Sequence, residues 1–281
     1  MDEIMNIKAL TYVYPDGTKA LDQVNLDIYK GEKLAILGAN GAGKSTLFLN
    51  MNGIHSPTEG QILLDGKPVK YDKKGLIHLR KNVGIVFQDP DSQIFASTVY
   101  GEVSFGLLNL GYSKEEAKER TIKALDYMNI MDLKDKAPHY LSGGQKKLVS
   151  IADILVMDPR VIIFDEPTAA LDPVNANHLE KILDKISKEG KTVILSTHDV
   201  DFAYRWADRI AVFSKSQLCK VGNPEEIFSD DEVLKRANLR KPMIYEIWSA
   251  IKAAGGFKAV EAFPKDVESI KKYISCIPFE K

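Results

Sequence analysis

Apolar and polar residues change period along this chain, and each change predicts an element. Ile7, Ala9 and Leu10 lead into Tyr12 and Tyr14. Pro15-Asp16-Gly17 then makes a turn, and Val24, Leu26 and Ile28 resume a spacing of two, which predicts an antiparallel hairpin. After Lys30-Gly31-Glu32 the apolar positions become continuous from Leu34 to Leu37, the mark of a short buried strand, and Thr46 to Met51 continues as helix. Ser56 to Gly60 breaks the chain. Gln61 to Leu64 reads as a strand with Asp65-Gly66 as its turn, and Val83 to Phe87 as another buried strand.

From Val99 to about Asp158 the period becomes helical, with Ala117, Ile122, Leu125 and Met128 spaced along one face of Lys114 to Ile130. This predicts a helical subdomain inserted into an α/β core. The β-branched runs Val161 to Phe164 and Thr192 to Ser196 flank a helical stretch from Asn175 to Lys188, as a parallel sheet with crossover helices requires. Ile210 to Phe213 is a further strand. Beyond about Asn238 the pattern weakens. Gly255-Gly256 separates a helical piece holding Trp248 from a last segment around Val267 to Ile274, so the division expected is 4–238 for the main domain and 239–281 for a small C-terminal module. No repeat or heptad run is present.

Composition narrows the classes. A length of 281 residues suits a main domain with an appendage. With 44% hydrophobic and 27% charged residues and a formal net charge of -1, the chain has an ordinary globular make-up and no bulk attraction for nucleic acid or anionic lipid. Cys219 and Cys276 stand far apart without a Cys-x-x-Cys or His-rich context, so neither a disulfide framework nor a zinc site is expected, which suits the cytosol. The acidic opening from Met1 to Ala9 predicts no secretion signal. No run approaches the roughly 20 apolar residues that span a bilayer.

Three segments carry chemistry. Gly38-Ala39-Asn40-Gly41-Ala42-Gly43-Lys44-Ser45 matches G-x-x-x-x-G-K-[ST], in which backbone N–H groups and a helix N-terminus cradle phosphate oxygens. Lys44 is placed to reach β- and γ-phosphates, and Ser45 to ligate Mg²⁺. Asp165-Glu166 ends the strand from Val161, expected beside the phosphate-loop strand. Asp165 could hold Mg²⁺ there, and Glu166 could orient or deprotonate an attacking water. Leu141-Ser142-Gly143-Gly144-Gln145 opens a helix, readable either as a serine N-cap or as a second anion site.

Those segments occur in order with Gln88 after a strand, Ala170-Leu171-Asp172 and Ser196-Thr197-His198, and together they closely resemble the ATP-binding-cassette (ABC) ATPases over roughly residues 4 to 230. The resemblance implies a P-loop NTPase fold with an antiparallel β subdomain, a RecA-like core and an inserted helical subdomain. It implies ATP and Mg²⁺ as cofactors. It also implies a second cassette joined head to tail, so that Ser142, Gly143, Gly144 and Gln145 of one chain cap the γ-phosphate held by the loop (Gly38 to Ser45, with Thr46) of the other. Tyr14 falls where the family stacks an aromatic on adenine, or else packs within the sheet. Gln88 would sense Mg²⁺ and water, His198 would touch the γ-phosphate, and Asp172 would help assemble the opposing site. The catalytic set implied is Glu166, His198 and Gln88, and the Mg²⁺ set Ser45, Gln88 and Asp165.

A finer resemblance runs through Phe87-Gln88-Asp89-Pro90-Asp91-Ser92-Gln93-Ile94-Phe95-Ala96 to Asn109-Leu110-Gly111, which looks like the energy-coupling-factor (ECF) ATPases, the cobalt-import ATP-binding proteins in particular. It implies an importer subunit working at the cytoplasmic face of the cell membrane, peripheral, with integral membrane coupling and substrate-binding subunits as partners and no nucleic acid. A homodimer or heterodimer, and nickel or a vitamin in place of cobalt, stay open at this point, as does a non-transport ABC ATPase. Ile94-Phe95 reads either as an exposed anchor for a partner's helix or as internal packing. Leu148 stands where many relatives carry arginine.

Overall fold

The computed structural model describes residues 2–169, 171–253 and 263–275; Ala170, Gly255-Gly256 and Cys276 lie outside the described residues. β1 (Glu3–Val13) and β2 (Lys19–Tyr29) form the predicted hairpin, with Ile7 opposite Leu26 and Leu10 opposite Val24. β3 (Lys33–Leu37) runs into the glycine-rich loop and α1 (Lys44–Met51). β4 (Glu59–Leu64) and the two-residue β5 (Lys67–Pro68) return to the hairpin, completing an antiparallel sheet in the order β2-β1-β4-β5. α2 (Lys73–Asn82), N-capped by the Asp72 carboxylate, delivers the chain to β6 (Val83–Val86).

The predicted insertion is three helices, α3 (Val99–Asn109), α4 (Lys114–Tyr127) and α5 (Gly143–Leu155). β7 (Val161–Phe164), α6 (Pro173–Lys188), β8 (Thr192–Ser196), α7 (Val200–Trp206), β9 (Arg209–Ser214) and β10 (Gln217–Gly222) then complete a second sheet in the order β10-β9-β3-β8-β7-β6. Only β10 at its edge runs antiparallel. The strand order corrects one expectation. β7 does not lie beside β3, because β8 pairs with both and fills the place between them.

The unbroken apolar run of β3 follows from its place between two layers. Leu34 and Ile36 join a core shared with the antiparallel sheet and with Leu47 and Phe48 of α1, whereas Ala35 and Leu37 face the helices on the other side. α8 (Pro224–Phe228) and α9 (Asp231–Ala237) close the cassette, and α9 stops at Asn238, which takes the left-handed conformation of a helix C-terminus. α10 (Met243–Ala253) packs back on α7: Asp201 accepts from Arg240 at 2.8 Å and from the Met243 N–H at 2.6 Å, and the rings of Tyr204 and Tyr245 meet edge to face. In α11 (Val267–Ser275), Tyr273 lies against Trp248 of α10. Among the described residues no helix is long and apolar enough to cross a membrane.

Candidate functional site

The loop between β3 and α1 needs glycine for steric reasons. Gly38 has φ 151°, and a Cβ there would lie 2.4 Å from the Phe213 carbonyl oxygen. Gly43 has φ 105°, and its Cβ would lie 2.4 Å from the Ala20 carbonyl oxygen. Neighbouring strands therefore clamp the loop, and Ser216, in the turn before β10, donates its N–H to Ala42 O. Lys44 is 5% exposed; its ammonium donates to Gly38 O at 2.7 Å and to Ala39 O at 3.2 Å. Burial pulls the Lys44 pKa down, and the charges of Glu166 and Asp165 oppose that shift.

A cleft of about 360 Å³ opens over this loop, lined by Asn40, Gly41, Ala42, Gly43, Lys44, Ser45 and Thr46 together with Tyr14, Gln88 and Glu166. Tyr14 and Thr46 share a hydrogen bond between hydroxyls at 3.0 Å, and the Tyr14 ring packs edge-on to Tyr12 and His55. Thr18, Lys19, Ala20 and Ser216 also line the cleft. No motif signalled Lys19, Ala20 or Ser216, because they are brought there by the hairpin's return strand and by the turn before β10.

Glu166 is the meeting point of the polar groups. One carboxylate oxygen is 2.5 Å from His198 Nε2 and 3.8 Å from Lys44 Nζ, and the other accepts from Gln88 Nε2 at 3.5 Å. The backbone there is left-handed, φ 43°, a conformation that costs a non-glycine residue about 1–3 kcal/mol and persists where the surroundings enforce it. Ser196 does the enforcing: its hydroxyl donates to Asp165 Oδ1 at 2.6 Å and accepts from the Glu166 N–H at 2.9 Å. This serine spans the strand that separates β7 from β3, so the acid pair reaches the loop although its strand is not adjacent. Its place in Ser196-Thr197-His198 was the available signal.

The remaining candidates sit elsewhere on the same chain. Ser142 N-caps α5 in a capping box, its hydroxyl accepting from the Gln145 N–H while Gln145 Oε1 accepts from the Ser142 N–H. Asp172 caps α6, accepting from the N–H groups of Val174 and Asn175, and these bonds hold its carboxyl below the usual range. Neither segment lines the cleft. Gly143 lines a separate hollow of about 250 Å³ with Gln88, Pro90, Lys147 and Leu171. The Ile94-Phe95 pair divides: Ile94 packs partly buried on the core, while Phe95 is 66% exposed and meets Phe105 edge to face at 4.7 Å. Leu148 is half-buried against the core, which accounts for an apolar residue there.

A family model described as ABC transporter matches residues 21–169. A putative ABC transporter ATP-binding protein of Methanosarcina mazei is 49% identical over 95% of this chain, which spans 60% of that protein's length. An energy-coupling factor transporter ATP-binding protein, EcfA, of Methanocaldococcus jannaschii is 52% identical over 86% of both chains. The solved structure of cbiO1 from Clostridium perfringens, part of the ABC transporter complex cbiONQ, superposes with a TM-score of 0.75 at 47% identity, covering 89% of this chain and all of its own. The likeness thus reaches well past the phosphate loop to both sheets and the inserted helices, and on that extent the chain belongs to the ABC transporter family, as an ATPase among its energy-coupling-factor ATP-binding proteins.

Proposed function

We propose that this chain is the ATP-hydrolysing subunit of an ECF-type importer, peripheral at the cytoplasmic face of the cell membrane, where closing and reopening of two cassettes moves integral membrane partners. The observation that carries this reading is the division of groups on one chain. Lys44, Glu166, Gln88 and His198 converge on the cleft, whereas Ser142 to Gln145 and Asp172 stand outside it and are available to another chain.

The roles are those the ABC-ATPase resemblance implies, and the position of each group supports them. The ammonium of Lys44, held by loop carbonyls in this state, turns to β- and γ-phosphate oxygens. The ring of Tyr14 stacks on adenine. Ser45, Gln88 and Asp165 would hold Mg²⁺: a hydroxyl, an amide oxygen and a carboxylate are the hard donors that ion prefers, and Asp165 is buried and fixed by Ser196. When bound, Mg²⁺ neutralises charge on the transferring phosphoryl group. Glu166 orients and deprotonates the attacking water, His198 donates to the γ-phosphate, and the helix N-terminus at Ser142 of the second cassette caps it. Asp172 supports that junction. Phe95 and Phe105 offer the membrane partner an apolar anchor. Residues 4–238 are the ATPase domain, and 239–281 a module that aids dimerisation. The cargo is cobalt, on the likeness of residues 87–111 to cobalt-import ATP-binding proteins.

Replacing Glu166 with glutamine tests the core of the proposal. The expected result is a stable ATP-bound dimer on sizing, with hydrolysis down about 10²- to 10⁴-fold; an unchanged rate overturns the assignment. Purification of the complex from solubilised membranes, followed by uptake assays with cobalt, nickel and vitamins, decides the cargo.

A further inference from the structure

Lys147 is a buried cation that the cleft does not use. It is 2% exposed, and its ammonium donates to Phe87 O at 2.9 Å and to Gln88 O at 2.6 Å. Burying an ammonium is costly, and an apolar side chain would fill the same space without that cost, so the position calls for a reason beyond packing. The acceptors supply one. They are the carbonyls at the point where β6 gives way to the segment carrying Gln88.

Lys147 is not alone in this. Lys146 lies 2.6 Å from Asp91, and Gln93 donates to Ser150 O at 2.9 Å and to Asp153 at 3.1 Å. Four residues of α5 thus hold three points of the 88–93 segment, which ties segment and helix into one body. The same helix begins at Ser142. From Ser142 to Lys147 is five residues, about 7.5 Å of helix, too short for bending to absorb a displacement of its N-terminus.

We infer that Lys147 is a positioning residue that ties Gln88 of one nucleotide site to the Ser142–Gln145 segment completing the other, so that closure over one ATP sets Gln88 at the second. This rests on the head-to-tail reading proposed above. Lysine suits the task because one ammonium can donate to two divergent carbonyls from the end of an apolar stem.

The test is steady-state ATP hydrolysis by the full chain and by Lys147→Met, Lys147→Arg, Gln88→Ala and the Gln88→Ala/Lys147→Met double variant. Lys147→Met is expected to lower kcat between about 10- and 100-fold, the scale of a small misplacement, with KM for ATP unchanged. It should also bring the Hill coefficient of the parent towards unity, and Lys147→Arg should recover most of both losses. In the Gln88→Ala background the methionine change should alter kcat by less than about twofold, because both residues act through one contact. A parent-like kcat, a rise in KM alone, or losses that multiply in the double variant overturn the positioning role. An unchanged Hill coefficient overturns the link between sites. If Lys147→Met does not fold, Lys147→Gln, which keeps a donor, takes its place under the same criteria; a fall in kcat that arginine does not rescue and that accompanies a lower Tm is packing, and also overturns it. Failure of the head-to-tail reading is separately visible: Glu166→Gln would form no ATP-dependent dimer, and the coupling would fall with it.

Discussion

Asp153 shows how one half-buried side chain can set a pH dependence. Burial pushes its carboxyl up to about 7 from an ordinary 3.8; the Gln93 amide opposes the shift, and the charge of Glu102 adds to it. The native state therefore keeps a proton that the unfolded chain releases above about pH 4. Stability from this group is present at low pH and is lost as pH rises towards 7, by more than about 1 kcal/mol per pH unit, and is flat beyond. Asp153→Asn keeps an acceptor for Gln93 and removes the titration. Its advantage over the parent in urea unfolding is expected to be about 2 kcal/mol larger at pH 8 than at pH 5; parallel curves would show that burial does not set the proton. Gly38→Ala belongs to the same scale. With its Cβ 2.4 Å from a backbone oxygen at a positive φ, the loop must distort, and binding of fluorescent ATP analogues should be lost while far-UV circular dichroism is retained. The loop and Glu166 were legible because their spacing is local. The contacts of Ser196 and Lys147 were not, because their partners lie 31 and about 60 residues away: Ser196 was marked only by its place in Ser196-Thr197-His198, and Lys147 looks like an ordinary surface polar group.

At the scale of elements, the proposed function gives the N-terminus of α5 a second use beside its capping box, and the two can be separated. Ser142→Ala removes the capping box and should cost about 1 kcal/mol of stability. Ser142→Asp restores a cap and suits the helix dipole, so the loss in Tm should be recovered, yet its charge opposes a γ-phosphate, so hydrolysis should stay low. Recovery of both would reduce Ser142 to a cap. What could be read of the elements followed their burial. The hairpin, β3, β7 and β8 announced themselves by period. α2 buries only Leu79 and so shows no apolar face, whereas α7 buries Val200, Phe202, Ala203, Tyr204 and Trp206 within seven residues and leaves only Asp201 and Arg205 for a polar one. Neither gives the helical signal that a half-buried helix gives. The place of β8 between β3 and β7 is a choice among long-range pairings that periodicity does not report.

At the scale of the whole molecule, the cleft and the N-terminus of α5 are separate, and on the proposed function each chain carries one nucleotide loop and one capping segment that do not meet within it. Two chains defective in different parts should therefore repair one another. Lys44→Ala disables the loop and leaves the cap. Gly143→Asp disables the cap and leaves the loop; Gly143 is exposed with open space around its Cα, and an acidic residue in the first helical turn favours the fold, so this chain should remain native. Alone, each variant should be inactive. In a mixed dimer, one site pairs the broken loop with the broken cap, and the other pairs an intact loop with an intact cap. Random pairing of equal amounts gives mixed dimers in half of the population with one working site in two, so independent sites would return hydrolysis to about a quarter of the parent rate in a two-fold assembly, and the link through Lys147 inferred above lowers the recovery below that. The recovered rate should scale with the mixing ratio and peak at equal amounts, since only unlike pairs contribute. Sites complete within single chains would leave the mixture as inactive as its parts, and residual activity in either chain alone would change linearly with composition, without a maximum.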